Sequence, residues 1–225
     1  MFLYNRDGRI ILLQMVRAIQ ENKQYLSDID GLIGDGDHGI NMNKGFTMYK
    51  DRLGEKEVNF TDGLTELGML LLNQIGGSMG PIYGTLLISM AEAAGNTDQI
   101  NLPLFSSMTG AGLLGLYDIV EARPGDKTLI DTLYPACCSL EESVKNRTAF
   151  DASLDAMKAA AAAGRDSTKN MIAKYGRAAR LGERSRGILD AGAASCSIIL
   201  SAMADGMKKV MVKEADHYAD HCHRL

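Results

Sequence analysis

The chain has 225 residues, of which 46% are hydrophobic and 23% charged, and its formal net charge is −4. This composition is ordinary for a globular protein, and the length suits a single domain over residues 1–225. The negative charge and the lack of a long Lys/Arg cluster disfavour nucleic acid as a partner. No apolar run reaches the length of a membrane span and residues 1–7 lack a signal-peptide pattern, so we expect a cytoplasmic location and no membrane association.

Apolar residues recur at helical spacing along most of the chain, beginning with Leu12, Met15 and Val16. This first helix, over residues 8–24, leads into an acidic loop at residues 28–43. Further helical segments are residues 43–52, 101–121 and 149–163 and the stretches that follow Asp62, Pro81, Asp126 and Gly192. No segment alternates apolar and polar residues as a half-buried strand does. The pattern therefore predicts an all-α domain of about eight helices.

The acidic loop combines Asp30, Asp35 and Asp37 with glycines at positions 31, 34, 36 and 39. Carboxylate oxygens are the ligands that Mg²⁺ and Ca²⁺ prefer, and glycines let a backbone turn closely around a small ligand. The EF-hand pattern fails, because Leu32 or Gly39 occupies the fifth position of its two registers. Mg²⁺ completes its shell with water and phosphate, so the loop suggests a Mg²⁺ site for a nucleotide. A solvated surface turn is the alternative.

Two later segments suit phosphate binding. The glycine-rich turn at residues 76–84 precedes a helix, and the start of a helix behind such a turn attracts anions. It is not a P-loop, because the pattern G-x-x-x-x-G-K-[ST] is absent. Residues 176–187 include four arginines, whose guanidinium groups suit phosphate contact and base stacking. A plain helix connection for the first segment, and solvated or salt-bridged arginines for the second, are the alternatives.

The C-terminal tail holds three histidines, of which His217 and His221 are one helical turn apart. That spacing could bind zinc. No third or fourth ligand is positioned beside His223 by the sequence, so we favour a polar terminal segment.

Taken in order, residues 34–43, 76–84, 124–128 and 176–193 resemble the motifs of the DhaL family, the nucleotide-binding subunits of dihydroxyacetone kinases. The resemblance covers nearly the whole chain, and four motifs in the same order are more specific than any one of them. It implies an antiparallel barrel of eight helices. In that family, loops at one end of the barrel hold ADP or ATP through two Mg²⁺ ions.

The resemblance also implies which residues form the site. The metal ligands would be Asp30, Asp35 and Asp37. The residues along the phosphates would be His38, Gly39, Ile40, Asn41, Ser78 and Met79. Those around the nucleoside would be Leu129, Arg177, Asp190, Ala191 and Gly192.

Three positions depart from the family pattern. Ser78-Met79 replaces a common Ala-Ser, Ala191 replaces a proline, and Val120 lies where a glycine is frequent. The related nucleotide domain of fatty acid kinases has Thr at the position of His38 and lacks the motifs at residues 124–128 and 181–185. The chain therefore resembles the ketone kinase branch.

The implied activity is phosphoryl transfer to dihydroxyacetone held on a separate substrate subunit. ADP would stay bound and be rephosphorylated by a phosphohistidine protein of the phosphotransferase system. One alternative is an ATP-exchanging kinase subunit for a related ketose such as erythrulose. A second is a nucleotide-sensing partner of a transcription regulator, and a third is a metal-stabilised helical scaffold without nucleotide. A homodimer is also left open.

Overall fold

The computed structural model describes residues 1–212, so the tail with His217, His221 and His223 lies outside the described residues. Over that range the chain is mainly helical, which confirms the all-α prediction. Two three-residue strands, β1 (Phe2–Tyr4) and β2 (Gln99–Asn101), pair antiparallel. Three short 3₁₀ helices cover Asn5–Asp7, Thr168–Asn170 and Arg177–Ser185. The α-helices are α1 (Gly8–Glu21), α2 (Lys23–Ile33), α3 (His38–Leu53), α4 (Phe60–Gln74), α5 (Met79–Ala94), α6 (Leu102–Ile119), α7 (Ile130–Lys145), α8 (Phe150–Ser167) and α9 (Ala191–Val210).

The described residues thus form nine α-helices instead of the expected eight, and the difference arises at α2. The sequence predicted one helix to about residue 24 and then a loop. Instead, Asn22 ends α1 with its N–H and its side-chain amide both bound to the carbonyl of Ala18, and α2 follows at once. Helix α2 buries Leu26 and Ile33 and packs against α3 and α9. This burial outweighs the low helix propensity of the Asp and Gly residues between them.

Consequently the acidic loop is much shorter than predicted. Asp30 lies in the last turn of α2, and α3 begins at His38 instead of near Asn43. Only residues 34–37 remain as a turn between the two helices.

The helices pack in a closed circuit, in which the last helix contacts the first. Each helix from α4 to α9 packs against the next, α9 packs against α1, and α1 packs against α3 and α4. The contact between α4 and α5 is close because Gly68 and Gly84 face each other: a Cβ on Gly68 would lie 2.9 Å from the carbonyl oxygen of Gly84. Helix α1 buries Ile11, Leu12 and Met15 completely in the shared core. No helix within residues 1–212 is both long and apolar enough to cross a membrane.

The helices bring several of their ends together. The starts of α3, α5, α7 and α9 and the ends of α2 and α6 surround one cleft. A helix start exposes unpaired backbone N–H groups, so this end of the molecule is rich in hydrogen-bond donors. The fold therefore builds a site from residues that lie far apart in the sequence.

Candidate functional site

The cleft has a volume of about 570 Å³ and is lined by residues from all four motif segments. Every residue predicted for the site lines it except Gly39 and Ile40. The structure therefore brings together side chains from positions 30 to 192 that the sequence could relate only by resemblance.

Gly39 and Ile40 lie in the first turn of α3 but point elsewhere. Gly39 is packed against α2, where a Cβ would lie 2.0 Å from the carbonyl oxygen of Lys23. The Ile40 side chain is 52% exposed. Gly39 thus allows α2 and α3 to approach, and a nucleotide contact at either residue stays a prediction.

The three aspartates converge where α2 ends and α3 begins. Each of Asp30, Asp35 and Asp37 offers a carboxylate oxygen, and these atoms all lie within 4.8 Å of one another. Gly36, at φ +76°, makes the turn that carries Asp35 and Asp37 back towards α2. Asp30 is fixed by the backbone N–H of His38, which lies 3.3 Å from its Oδ2.

The charges in this cluster are poorly balanced. Burial raises the pKa of Asp30, and burial followed by the charge of Asp35 raises the pKa of Asp37. The guanidinium of Arg177 lies 2.7 Å from Oδ2 of Asp35 and pairs with it. Because hard oxygen ligands that repel one another are stabilised by a divalent cation, this donor set fits Mg²⁺.

His38 lies beside the cluster in a buried hydrogen-bond network. Its Nε2 is 2.8 Å from Ser195 Oγ, and that oxygen is 2.5 Å from the hydroxyl of Tyr83. Burial lowers the pKa of His38 to about 4, so the ring is neutral at neutral pH. Neither Ser195 nor Tyr83 was predicted for the site, because Ser195 lies in an apolar run and Tyr83 within the glycine-rich motif.

Lys127 was also missed, although it belongs to a motif that the resemblance used. Its side chain is 1% exposed, and Nζ donates to the carbonyls of Thr168 at 2.6 Å and Ile188 at 2.5 Å. It thereby joins the segment before α7 to the segment after α8 and to the segment before α9. Its φ of +62°, unusual for a residue other than glycine, marks a tight turn beside the cleft.

Asp190 begins α9 by accepting a hydrogen bond from the N–H of Ala193 at 2.7 Å. Burial raises its pKa to about 6, while the nearby Lys127 ammonium acts in the opposite direction. A half-buried carboxyl with a pKa near 6 can change its charge close to neutral pH.

The DAK2 domain family model matches residues 32–205. The chain belongs to this family. It is 39% identical over 202 residues to the ADP-binding subunit DhaL of PEP-dependent dihydroxyacetone kinase 1 from Listeria innocua, covering 89% of this chain and 96% of that one. The DhaL resemblance inferred from the four motifs is therefore confirmed.

Solved structures show the same fold. The native dihydroxyacetone kinase of C. freundii superposes with a TM-score of 0.68 at 22% identity, over 88% of this chain and 34% of the kinase. The complex of that kinase with AMP-PNP and Mg²⁺ superposes with a TM-score of 0.63 at 22% identity, over 87% of this chain and 33% of the kinase. This chain thus corresponds to about a third of a longer kinase.

The three departures from the DhaL pattern, Met79, Val120 and Ala191, all line the cleft. The segment at Val120 is held from outside, because Arg123 donates to its carbonyl at 3.1 Å and lies over the ring of Tyr117 at 4.2 Å. Val120 therefore lies in a firmly supported part of the cleft wall.

Proposed function

We propose that this chain is the nucleotide-binding subunit of a dihydroxyacetone or related ketose kinase. The observation that carries the proposal is the convergence of three carboxylates in a cleft bounded by four helix starts. A nucleotide's phosphates need cations to approach carboxylates, and helix starts supply N–H donors for the remaining phosphate oxygens. Membership of the DAK2 family and the likeness to a DhaL subunit support the same conclusion.

Each part of the cleft has a distinct task under this proposal. Asp30, Asp35 and Asp37 would hold Mg²⁺, as the two ions that the resemblance implies. When bound, the ions supply positive charge that offsets the charge of the phosphates. The backbone at Ser78 and Met79, at the start of α5, would donate hydrogen bonds to phosphate oxygens.

The nucleoside would occupy the other half of the cleft. Leu129 is 5% exposed and presents an apolar surface suited to a base, and Gly192 leaves room beside it. Arg177 would turn from Asp35 towards the nucleotide. The packing order of the helices supports a closed antiparallel barrel, which we propose as the scaffold, with residues 1–225 as one domain.

The ketone would come from another subunit. In the resembling family, dihydroxyacetone is bound covalently to a histidine. Residues 1–212 contain one histidine, His38. It is 8% exposed and hydrogen-bonded to Ser195, so it is poorly placed to bind dihydroxyacetone covalently. We therefore propose a dihydroxyacetone-binding partner subunit. The Listeria innocua relative is named PEP-dependent, and a relative from Lactococcus lactis is named PTS-dependent. These names support a phosphohistidine protein of the phosphotransferase system as the donor.

The first test is mass spectrometry of the small molecules released when the dialysed protein is denatured. We expect ADP at about one per chain, as for a tightly held coenzyme. Adding back a substrate subunit and dihydroxyacetone, with either a phosphohistidine donor or ATP, then identifies the donor. Failure to bind ADP or ATP in the presence of Mg²⁺ would refute the proposal.

A further inference from the structure

A buried hydrogen-bond network links three helices behind the cleft. The Ser195 hydroxyl on α9 contacts Nε2 of His38 on α3 at 2.8 Å and the hydroxyl of Tyr83 on α5 at 2.5 Å. Both hydroxyls also lie 3.1 Å from the carbonyl oxygen of Gly192. Ser195 and Tyr83 are 0% and 1% exposed, so water does not compete for these contacts.

The number of hydrogen-bond donors in the network favours one neutral tautomer of the His38 ring. When Nε2 is unprotonated, the two hydroxyl hydrogens fill the two short contacts and none reaches Gly192. When Nε2 carries the proton, His38 donates to Ser195, and one of the hydroxyls can donate to the carbonyl of Gly192. The second arrangement has one more hydrogen bond in a buried place, where each is favourable. Nδ1 is then left as an acceptor.

The network also connects the two halves of the cleft. The backbone N–H of His38 binds Asp30, a candidate metal ligand, and the ring of His38 binds Ser195. Ser195 lies one turn from Gly192, which lines the part of the cleft assigned to the nucleoside. His38 is therefore the link between the aspartate cluster and the start of α9.

We propose that Ser195, held by Tyr83, is a positioning residue that fixes the His38 ring with its proton on Nε2 and leaves Nδ1 as an acceptor. The inference on affinity rests on the function proposed above. An acceptor at Nδ1 takes a hydrogen from a water molecule or a hydroxyl group and repels phosphate oxygen. Any phosphate contact of His38 is then made by backbone groups of its turn.

Ser197 provides a matched control for this role. It is a second buried serine of the same helix, 3% exposed, and it does not line the cleft. Ser197→Ala removes the same hydroxyl group from α9 without touching His38. Any effect common to Ser195→Ala and Ser197→Ala is therefore a general effect on helix packing.

The deciding experiment is a double-mutant cycle on the affinity for Mg²⁺-ADP, measured by calorimetry. We expect Ser195→Ala to weaken binding about fivefold to tenfold in the wild-type background. In the His38→Ala background the same substitution should change binding by less than about twofold, because the residue through which Ser195 acts is absent. Ser197→Ala should leave affinity unchanged. Equal losses in both backgrounds, or no loss in either, would overturn the proposal.

A second readout does not need the nucleotide. ¹⁵N NMR of the free protein should show His38 protonated at Nε2 in the wild type and in Ser197→Ala, and a mixture of tautomers in Ser195→Ala. If Ser195→Ala does not fold, Tyr83→Phe should give a shift of the same kind but smaller. An unchanged His38 signal in the folded variant contradicts the positioning role. Absence of Mg²⁺-ADP binding by the wild type would instead refute the proposed function, and NMR would still decide this inference.

Discussion

Within residues 1–212, two clefts have almost equal volumes, about 570 Å³ at the aspartate cluster and about 580 Å³ at the opposite ends of α4 and α5. The second, which we call the far cleft, is lined by residues 4–6, 59, 61, 62 and 95–99. Helix α4 has 15 residues and separates the two by about 22 Å. Size alone therefore does not distinguish a candidate site from a structural groove.

The polar groups of the far cleft satisfy one another. Asn5 donates to Thr61 Oγ1 and to the carbonyl of Thr97, both at 2.9 Å, and accepts from the N–H of Thr61 at 3.1 Å. Its own N–H binds the carbonyl of Asp98 at 2.9 Å. These bonds join β1, α4 and the segment before β2, so the far cleft holds the fold together and leaves little unpaired chemistry for a ligand.

The aspartate cleft has the opposite character. Its three carboxylates lie close to one another, and Arg177 forms an ion pair with one of them, Asp35. Unbalanced charge is costly unless a ligand compensates for it. Uncompensated charge, and not volume, therefore distinguishes the candidate functional cleft from the far cleft.

The largest expected effect comes from removing one of these carboxylates. Asp35→Ala should weaken Mg²⁺-dependent ADP binding at least about a hundredfold, because a cation between carboxylates and phosphates contributes several kcal/mol. Helical content by circular dichroism should stay the same, since Asp35 lies in the turn between α2 and α3 and its ion pair is with an exposed arginine. Asp62→Ala, which removes an exposed acid of the far cleft, is the control. An unchanged ADP affinity in Asp35→Ala would refute the metal assignment.

The next effect should be on stability and not on binding. Asn5→Ala leaves its hydrogen-bond partners at the buried Thr61 and the half-buried Thr97 unsatisfied, so we expect the free energy of unfolding to fall by about 1–3 kcal/mol. The affinity for Mg²⁺-ADP should be unaffected. Asn59→Ala, at an exposed position of the same cleft, should change stability by less than about 0.5 kcal/mol. Chemical denaturation and calorimetry measure the two quantities. Loss of ADP binding without loss of stability in Asn5→Ala would remove the distinction between the clefts.

Much of the fold could be predicted from sequence, because helical periodicity is local. The spacing of Leu12, Met15 and Val16 predicts α1, and these residues are buried as expected. Helix α2 was missed because its signal, Leu26 and Ile33 seven residues apart, is interrupted by residues that favour turns. The strands β1 and β2 were missed because three residues are too few to show alternation.

The site could be predicted only as far as its motifs extend. The three aspartates and the glycine-rich turn are contiguous in sequence, so their chemistry was readable. Ser195 contacts His38 across 157 residues, and no local pattern specifies such a pair. Lys127 acts by holding carbonyls of distant segments, which the sequence does not reveal. Supporting residues therefore emerge only from the folded chain.

A smaller effect is expected from the ion pair of the cluster. The Arg177 side chain is 64% exposed and its guanidinium is paired with the Asp35 carboxylate, so we expect it to compete with a metal ion for that carboxylate. Arg177→Met should strengthen Mn²⁺ binding to the nucleotide-free protein about twofold to fivefold, the range of an exposed ion pair. In the same variant Mg²⁺-ADP binding should weaken. Arg180→Met removes the same charge from an exposed position nearby and serves as the control. A weaker Mn²⁺ affinity in Arg177→Met would show that the arginine does not compete.

The last effect concerns pH and the start of α9. The pKa of Asp190 rises from 3.8 to about 6 on folding, so between these values the native state binds more protons than the unfolded state. Its contribution to stability is therefore complete below about pH 4 and decreases as pH rises to about 6. Asp190→Asn keeps an acceptor for the N–H of Ala193 but does not titrate. The wild type should lose stability relative to this variant between pH 4 and 6, in denaturation curves without metal. Parallel curves would show that burial does not set the charge of Asp190, and would bring this end of the cleft closer in character to the self-satisfied far cleft.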